Sequence, residues 1–157
     1  IISNDNNEPK DFVVLASSTK LLRNVDYSYR QITHEKTEIT FVSTEVLDKL
    51  KKVHNVTDEK TASWKFNRDF EALERTRKQL FTTDKRCLKI STIQSFKGWE
   101  SPSVIIILEN DTISDNTNYL PTSPQAIYTA ITRARENMYI VNIGNNTYHN
   151  FFYNQSL

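Results

Sequence analysis

Glycine is nearly absent from this chain: two residues in 157, Gly98 and Gly144. Loops that wrap a nucleotide phosphate usually spend glycine freely, because it lets the backbone come close to the ligand. The pattern G-x-x-x-x-G-K-[ST] occurs nowhere, so the chain alone is not expected to hydrolyse ATP. A single cysteine, Cys87, excludes an internal disulfide and a cysteine-rich zinc site, and suggests a cytoplasmic protein. In its predicted strand it reads as a buried small hydrophobe. The longest apolar run, Val104 to Leu108, falls far short of a bilayer span, so no membrane is expected. Charge of one sign is not in excess either. The formal net charge of +1 removes the broad basic field of many nucleic-acid binders but leaves room for a local patch. His34, His54 and His149 are scattered without paired ligand spacing, so no metal site is expected. No signal peptide is visible, and the opening IISNDNNEPK lacks a methionine, which reads as a processed or excised piece of something longer.

What is present fits one globular domain. Hydrophobic residues make up 38% and charged residues 25%, outside the disordered range. Residues 1–10 read as a polar leader and residues 11–157 as a single domain. Strands are predicted at DFVVLAS, EITFVS (Glu38 to Ser43), CLKIST, SVIIILEN and NMYIVNI. Helical spacing appears in TKLLRNVDYSYRQI, TEVLDKLKKVHN and SWKFNRDFEALERTRKQLF, and a short helix is predicted in the tail. Ser123 reads as an N-cap with Pro124 in the first helical position. The stretch NDTISDNTNYLPTSP reads as a polar surface loop. Strands alternating with helices imply an α/β domain with a mostly parallel sheet, whose working residues are expected at the carboxyl ends of the strands. Glu109 and Asp111, after the most hydrophobic strand, read as solvated carboxylates.

Two stretches carry candidate chemistry. In TIQSFKGWES, Gly98 permits a tight turn, Lys97 offers a mobile cation, and Glu100 can accept from ribose hydroxyls. Thr92, Gln94 and Ser95 add polar groups of the kind that touch a nucleic-acid backbone. On composition alone, an ordinary polar loop with a turn glycine is the favoured reading of the same residues. In YTAITRARENMYIV, Ile127, Ala130, Ile131 and Ala134 form an apolar helical stripe. Arg133 shares a face with Thr129, and Arg135 lies with Tyr128 and Thr132. These arginines read either as a solvated face near a helix C-terminus or as a group awaiting a phosphate.

Together, LKISTIQSFKGWESPSVIII and PQAIYTAITRARENMYIV resemble motifs V and VI of UvrD/Rep-type superfamily 1 DNA helicases. The resemblance implies the C-terminal RecA-like domain, a three-layer sandwich of the P-loop NTPase class without its own Walker A. It implies that Arg133 is an arginine finger reaching ATP held with Mg²⁺ mainly by an upstream RecA-like domain of the same parent chain. Gly98 and Glu100 would then meet the nucleotide, and Thr92, Gln94 and Lys97 would lie along single-stranded DNA. Lys97-Gly98 favours that branch over the RNA helicases with a Gln-Gly pair. Gln94 departs from a usual histidine. Ser17 stands where motif IV often has a phosphate-contacting arginine, with Arg23 in the next helix as a substitute. The stretch Thr44 to Phe81 is too short for the large inserted subdomain of full-length relatives. A different class of function, a non-catalytic α/β binding module on the same fold, is the alternative.

Overall fold

The structure, a computed structural model, describes residues 8–57, 62–110 and 123–155. Five strands, β1 (Phe12–Ala16), β2 (Thr37–Ile39), β3 (Leu88–Thr92), β4 (Ser101–Leu108) and β5 (Ala134–Asn142), form one sheet in the order β2-β3-β1-β4-β5. All neighbouring pairs are parallel. The central strand β1 reads FVVLA and is buried on both faces, as a strand covered above and below requires. Alternation then sorts its side chains. Val13 and Leu15 join Val104, Ile106, Leu108 and Phe96 in one core layer, while Phe12, Val14 and Ala16 join Leu22, Ile39, Leu88 and Ile90 in the other.

Helix α1 (Thr19–Thr33) covers the second layer through Leu21, Leu22, Val25 and Tyr29. Helices α4 (Pro124–Ile131) and α5 (Asn146–Gln155) cover the first, with Ile127, Ala130, Tyr148 and Phe152 facing the sheet. Helices α2 (Thr44–His54) and α3 (Trp64–Leu80) form a hairpin beside β2, with its own small core of Val42, Leu47 and Phe66. The result is the three-layer α/β sandwich of the RecA type.

Serines start the helices as their sequence positions suggest. The side chains of Ser18, Ser63 and Ser123 accept from the backbone N–H of Leu21, Phe66 and Ala126. Glycine is too scarce to end them, so His34 (φ 57°) and Asn55 (φ 53°) take the left-handed C-cap conformation instead.

Three predicted boundaries move. β2 ends at Ile39 rather than Ser43, because Phe41 turns into the second sheet layer while Val42 turns into the hairpin core. β5 begins at Ala134, three residues before Asn137, and takes Arg135 out of the helix. Cys87 precedes β3 and is half-buried; burial pushes its thiol up. The predicted loop over Asn110 to Ser123, Asp111 included, lies largely outside the described residues.

A buried carboxylate joins α1 to β2 and α2. Asp26 is 0% exposed; Arg30 donates to both its oxygens, at 2.8 and 3.2 Å, and Thr37 Oγ1 donates to one of them. The same guanidinium reaches Glu45 at 2.7 Å, which holds the Glu45 carboxyl below its ordinary range. An Arg30→Met substitution leaves a desolvated charge without its cation and is expected to destabilise by about 3 kcal/mol in urea unfolding at neutral pH. Glu45 sets the sign of the pH dependence. Its contribution is present above 4.5 and lost as pH falls through the lower folded value, so the gap between wild type and variant narrows in acid.

Candidate functional site

The segment between β3 and β4 crosses the sheet from one edge to the other. It leaves the carboxyl end of β3, where Ile93 N–H donates to Ala16 O at 3.0 Å, and makes a helical turn closed by Phe96 N–H to Thr92 O at 3.1 Å. Buried Ile93 and Phe96 anchor it, and Trp99 packs edge-on against Phe81 with ring centroids 5.9 Å apart. Apolar residues at every third position therefore pin the crossing. Between them Gln94, Lys97, Gly98 and Glu100 are left exposed. Gly98 has φ +89°, a left-handed conformation that its missing side chain makes cheap, and no atom would meet an added Cβ within 4 Å. Glycine is thus used here for backbone conformation rather than for space.

This crossing separates the predicted site residues into two groups. Thr92 ends β3 at the carboxyl edge, half-buried, with its hydroxyl donating to Ser95 Oγ at 2.9 Å and accepting from Ser95 N–H. Gln94 follows on the exposed side of the same turn. Glu100 and Arg133 lie at the opposite, amino edge. Thr92 is level with Ala16 and Ser103 with Phe12, which sets Ser101 roughly 20 Å along the strands from Thr92. Gly98, Glu100 and Arg133 are brought together; Thr92 and Gln94 are not among them; Lys97 lies between. Glu100 and Arg133, which precede β4 and β5, therefore do not lie at the carboxyl ends where candidate working residues are expected. The reason is that the crossing carries no long helix and delivers its polar end to the start of β4.

Arg133 occupies the turn out of α4. Its Nε donates to Thr129 O at 3.2 Å, Nη2 to Thr132 Oγ1 at 3.1 Å, and Nη1 to Trp99 O at 3.4 Å. Its backbone carbonyl accepts from Ser101 N–H at 3.0 Å. The guanidinium thus rests on carbonyls and a hydroxyl, with no carboxylate partner among the described residues. A half-buried cation neutralised by no fixed acid is a fitting group for a phosphate delivered from outside.

Arg135 is not on a helix with Tyr128 and Thr132, as the periodicity suggested. The β4–β5 register shifts by one residue between Ser101 and Ser103, opposite Arg135 and Glu136. Pro102 sits at that step without an N–H to give the ladder, and a bulge there re-aims the bulged side chains. Arg135 lines a cavity of about 250 Å³ at the amino edge with Lys89, Glu100 and Pro102. Lys89 is buried, donates to Lys10 O, and is lowered in pKa by that burial. Arg23 is engaged in the fold: it donates to Val42 O at 2.8 Å and lies 5.8 Å from the Phe70 ring centroid. Ser17 follows β1 at the carboxyl edge, away from Arg133.

Glu109 is half-buried and engaged rather than a fully solvated strand end. Its carboxylate accepts from Ser18 N–H at 2.9 Å, joining the end of β4 to the start of α1, and burial pushes its pKa up. Beside it, buried Asn145 donates to Glu109 O at 2.8 Å and caps α5 by accepting from Tyr148 N–H. An acid whose folded pKa is raised costs stability as pH climbs from its usual 4.5 through the folded value, and the cost then stays constant. Glu109→Gln keeps an acceptor for Ser18. Thermal melts are expected to show it at least as stable as wild type near pH 7, with that advantage gone below about pH 4.

Among the described residues no group of three or more His, Cys, Asp or Glu side chains is placed to hold a metal, and no helix is long and apolar enough to cross a membrane. No curated protein matches the chain in sequence. Residues 9–142 match the family described as the viral superfamily 1 RNA helicase core domain. The match spans both candidate motifs and all five strands; it supports superfamily 1 without singling out the UvrD/Rep branch. Because that match covers well over half of the chain, and the parallel sheet and the two motifs in order agree with it, the chain belongs to the family of superfamily 1 helicase core domains.

Proposed function

We propose that the chain is the C-terminal RecA-like half of an ATP-dependent helicase or translocase and supplies its arginine finger through Arg133. One observation carries this reading. Arg133, far from Glu100 in sequence, is bonded to both neighbours of Glu100 at one sheet edge: Ser101 N–H donates to Arg133 O and Arg133 Nη1 donates to Trp99 O. ATP with Mg²⁺ would be held mainly by an upstream RecA-like domain of the same parent chain and would meet this edge when the two domains close. Arg133 would then exchange its carbonyl contacts for the charge that develops on the γ-phosphate. Glu100, on the turn set by Gly98, would accept from the ribose. Thr92 and Gln94 at the other edge, with Lys97 on the crossing between, would follow single-stranded nucleic acid. Lys97-Gly98 favours DNA for that strand, while the family's description favours RNA.

The test is turnover by the longer protein with and without single strands, beside an Arg133→Ala variant. Nucleic-acid-stimulated ATP hydrolysis is expected to fall by about 10³-fold or more in the variant with ATP still bound. Greater stimulation by oligo(dT) than by oligo(U) assigns DNA, and the reverse assigns RNA. Turnover indifferent to Arg133 would leave the fold as a non-catalytic binding module.

A further inference from the structure

Helix α3 begins with an aromatic residue that nothing in the fold requires. The face of α3 that packs carries Phe66, Phe70 and Leu73, all in the hairpin core. Trp64 lies off that face and is 67% exposed. Two cations cover its ring: the Arg68 guanidinium carbon lies 5.4 Å from the ring centroid and Lys65 Nζ lies 5.8 Å from it. Arg68 also pairs with Asp69 at 2.9 Å, and His54 at the end of α2 reaches that carboxylate from the other side at 3.1 Å. One turn back on α2, Lys51 and Lys52 line an open cavity of about 430 Å³ with Asp48 and Asn55. Among the described residues, Lys51, Lys52, Lys65 and Arg68 lie on this end of the hairpin with Asp48 and Asp69. An exposed indole set among cations has the chemistry of a base-stacking platform with phosphate contacts beside it.

The tip also has the right place. Phe70 packs under Arg23, which lies in the second turn of α1 and bonds Val42 O just past β2, so position 70 is near the level of the carboxyl edge. From there α3 runs back toward the start of β3 at Leu88. Residues 64–69 therefore project about 9 Å beyond the carboxyl edge, on the β2 side of the sheet. Thr92 and Gln94 lie at that same edge, on and just after β3, the neighbour of β2.

We propose that the tip of the α2–α3 hairpin is a second contact for single-stranded nucleic acid, in which Trp64 stacks a base while Lys65 and Arg68 take flanking phosphates. A strand leaving Gln94 along the carboxyl edge would pass onto this tip. The placement of the strand at Gln94 rests on the function proposed above; the chemistry of the tip does not.

The chain contains two tryptophans, Trp64 and Trp99, so a Trp99→Phe background makes Trp64 the sole reporter. Titration of this 157-residue chain with a 20-nucleotide oligo(dT) or oligo(U) is expected to quench Trp64 emission. Trp64→Ala in the otherwise native chain is expected to weaken binding about tenfold, read by anisotropy of a labelled oligonucleotide. Lys65→Glu with Arg68→Glu is expected to lower the log–log salt slope by about one. All three side chains are exposed, so unchanged melting temperatures check the fold of each variant. Binding that leaves Trp64 emission, affinity and salt slope untouched would overturn the proposal, as would failure of both oligonucleotides to bind. Those results would not bear on Arg133, whose role is read by turnover of the longer protein. Loss of Arg133 dependence there would in turn leave quenching of Trp64 standing.

Discussion

One backbone hydrogen bond, Ser101 N–H to Arg133 O, sets the geometry of the amino edge of the sheet between β4 and β5. It opens the parallel ladder between β4 and β5 and fixes where the chain leaves α4. Because both strands start at the same level, the residue before each is delivered to the same place. Glu100 and Arg133 are those residues. Shifting this register would move the acid and the cation apart and would turn the apolar side chains of β5 to the wrong face.

That constraint works only because the crossing from β3 to β4 is itself held. Ile93 and Phe96 bury into the layer that also receives Ile127 and Ala130 of α4, so the two candidate motifs share one hydrophobic core. Trp99 leans on Phe81, the residue that ends α3, and offers its carbonyl to Arg133. Packing on one side thus fixes polar groups on the other. The same crossing puts Thr92 and Gln94 a strand's length from Glu100. In the proposed reading, nucleotide and nucleic acid meet opposite edges of one rigid sheet, so a shift at one can be transmitted to the other by moving the domain as a body.

The parts of this organisation that were legible in the sequence are the local ones. Helices α1, α2 and α3 follow apolar periodicity, and the start of α4 follows Ser123 and Pro124, because capping and spacing act within a few residues. What escaped depends on partners distant in the chain. Glu109 looks like a solvated strand end until Ser18, 91 residues away, arrives beside it. Arg135 fits a helical face until Pro102 in the neighbouring strand interrupts the ladder and the bulge takes it. The placement of Glu100 and Arg133 at one edge is not legible from their spacing, which does not reveal that β4 and β5 start level. Trp64, at the start of an amphipathic helix, reads in sequence as one of its apolar residues with Phe66, Phe70 and Leu73. Its exposure follows from which face the hairpin buries.

The central claim is that the amino edge formed by Glu100 and Arg133 is the face presented to nucleotide. Hydrogen exchange of the longer protein, with and without a non-hydrolysable ATP analogue and Mg²⁺, tests it most directly. The account predicts that the analogue slows exchange at the amides of residues 98–101 and 132–135, with little change at residues 12–16 in the core. Protection absent from that edge while the analogue is bound, or confined to the carboxyl edge around Thr92, would contradict it.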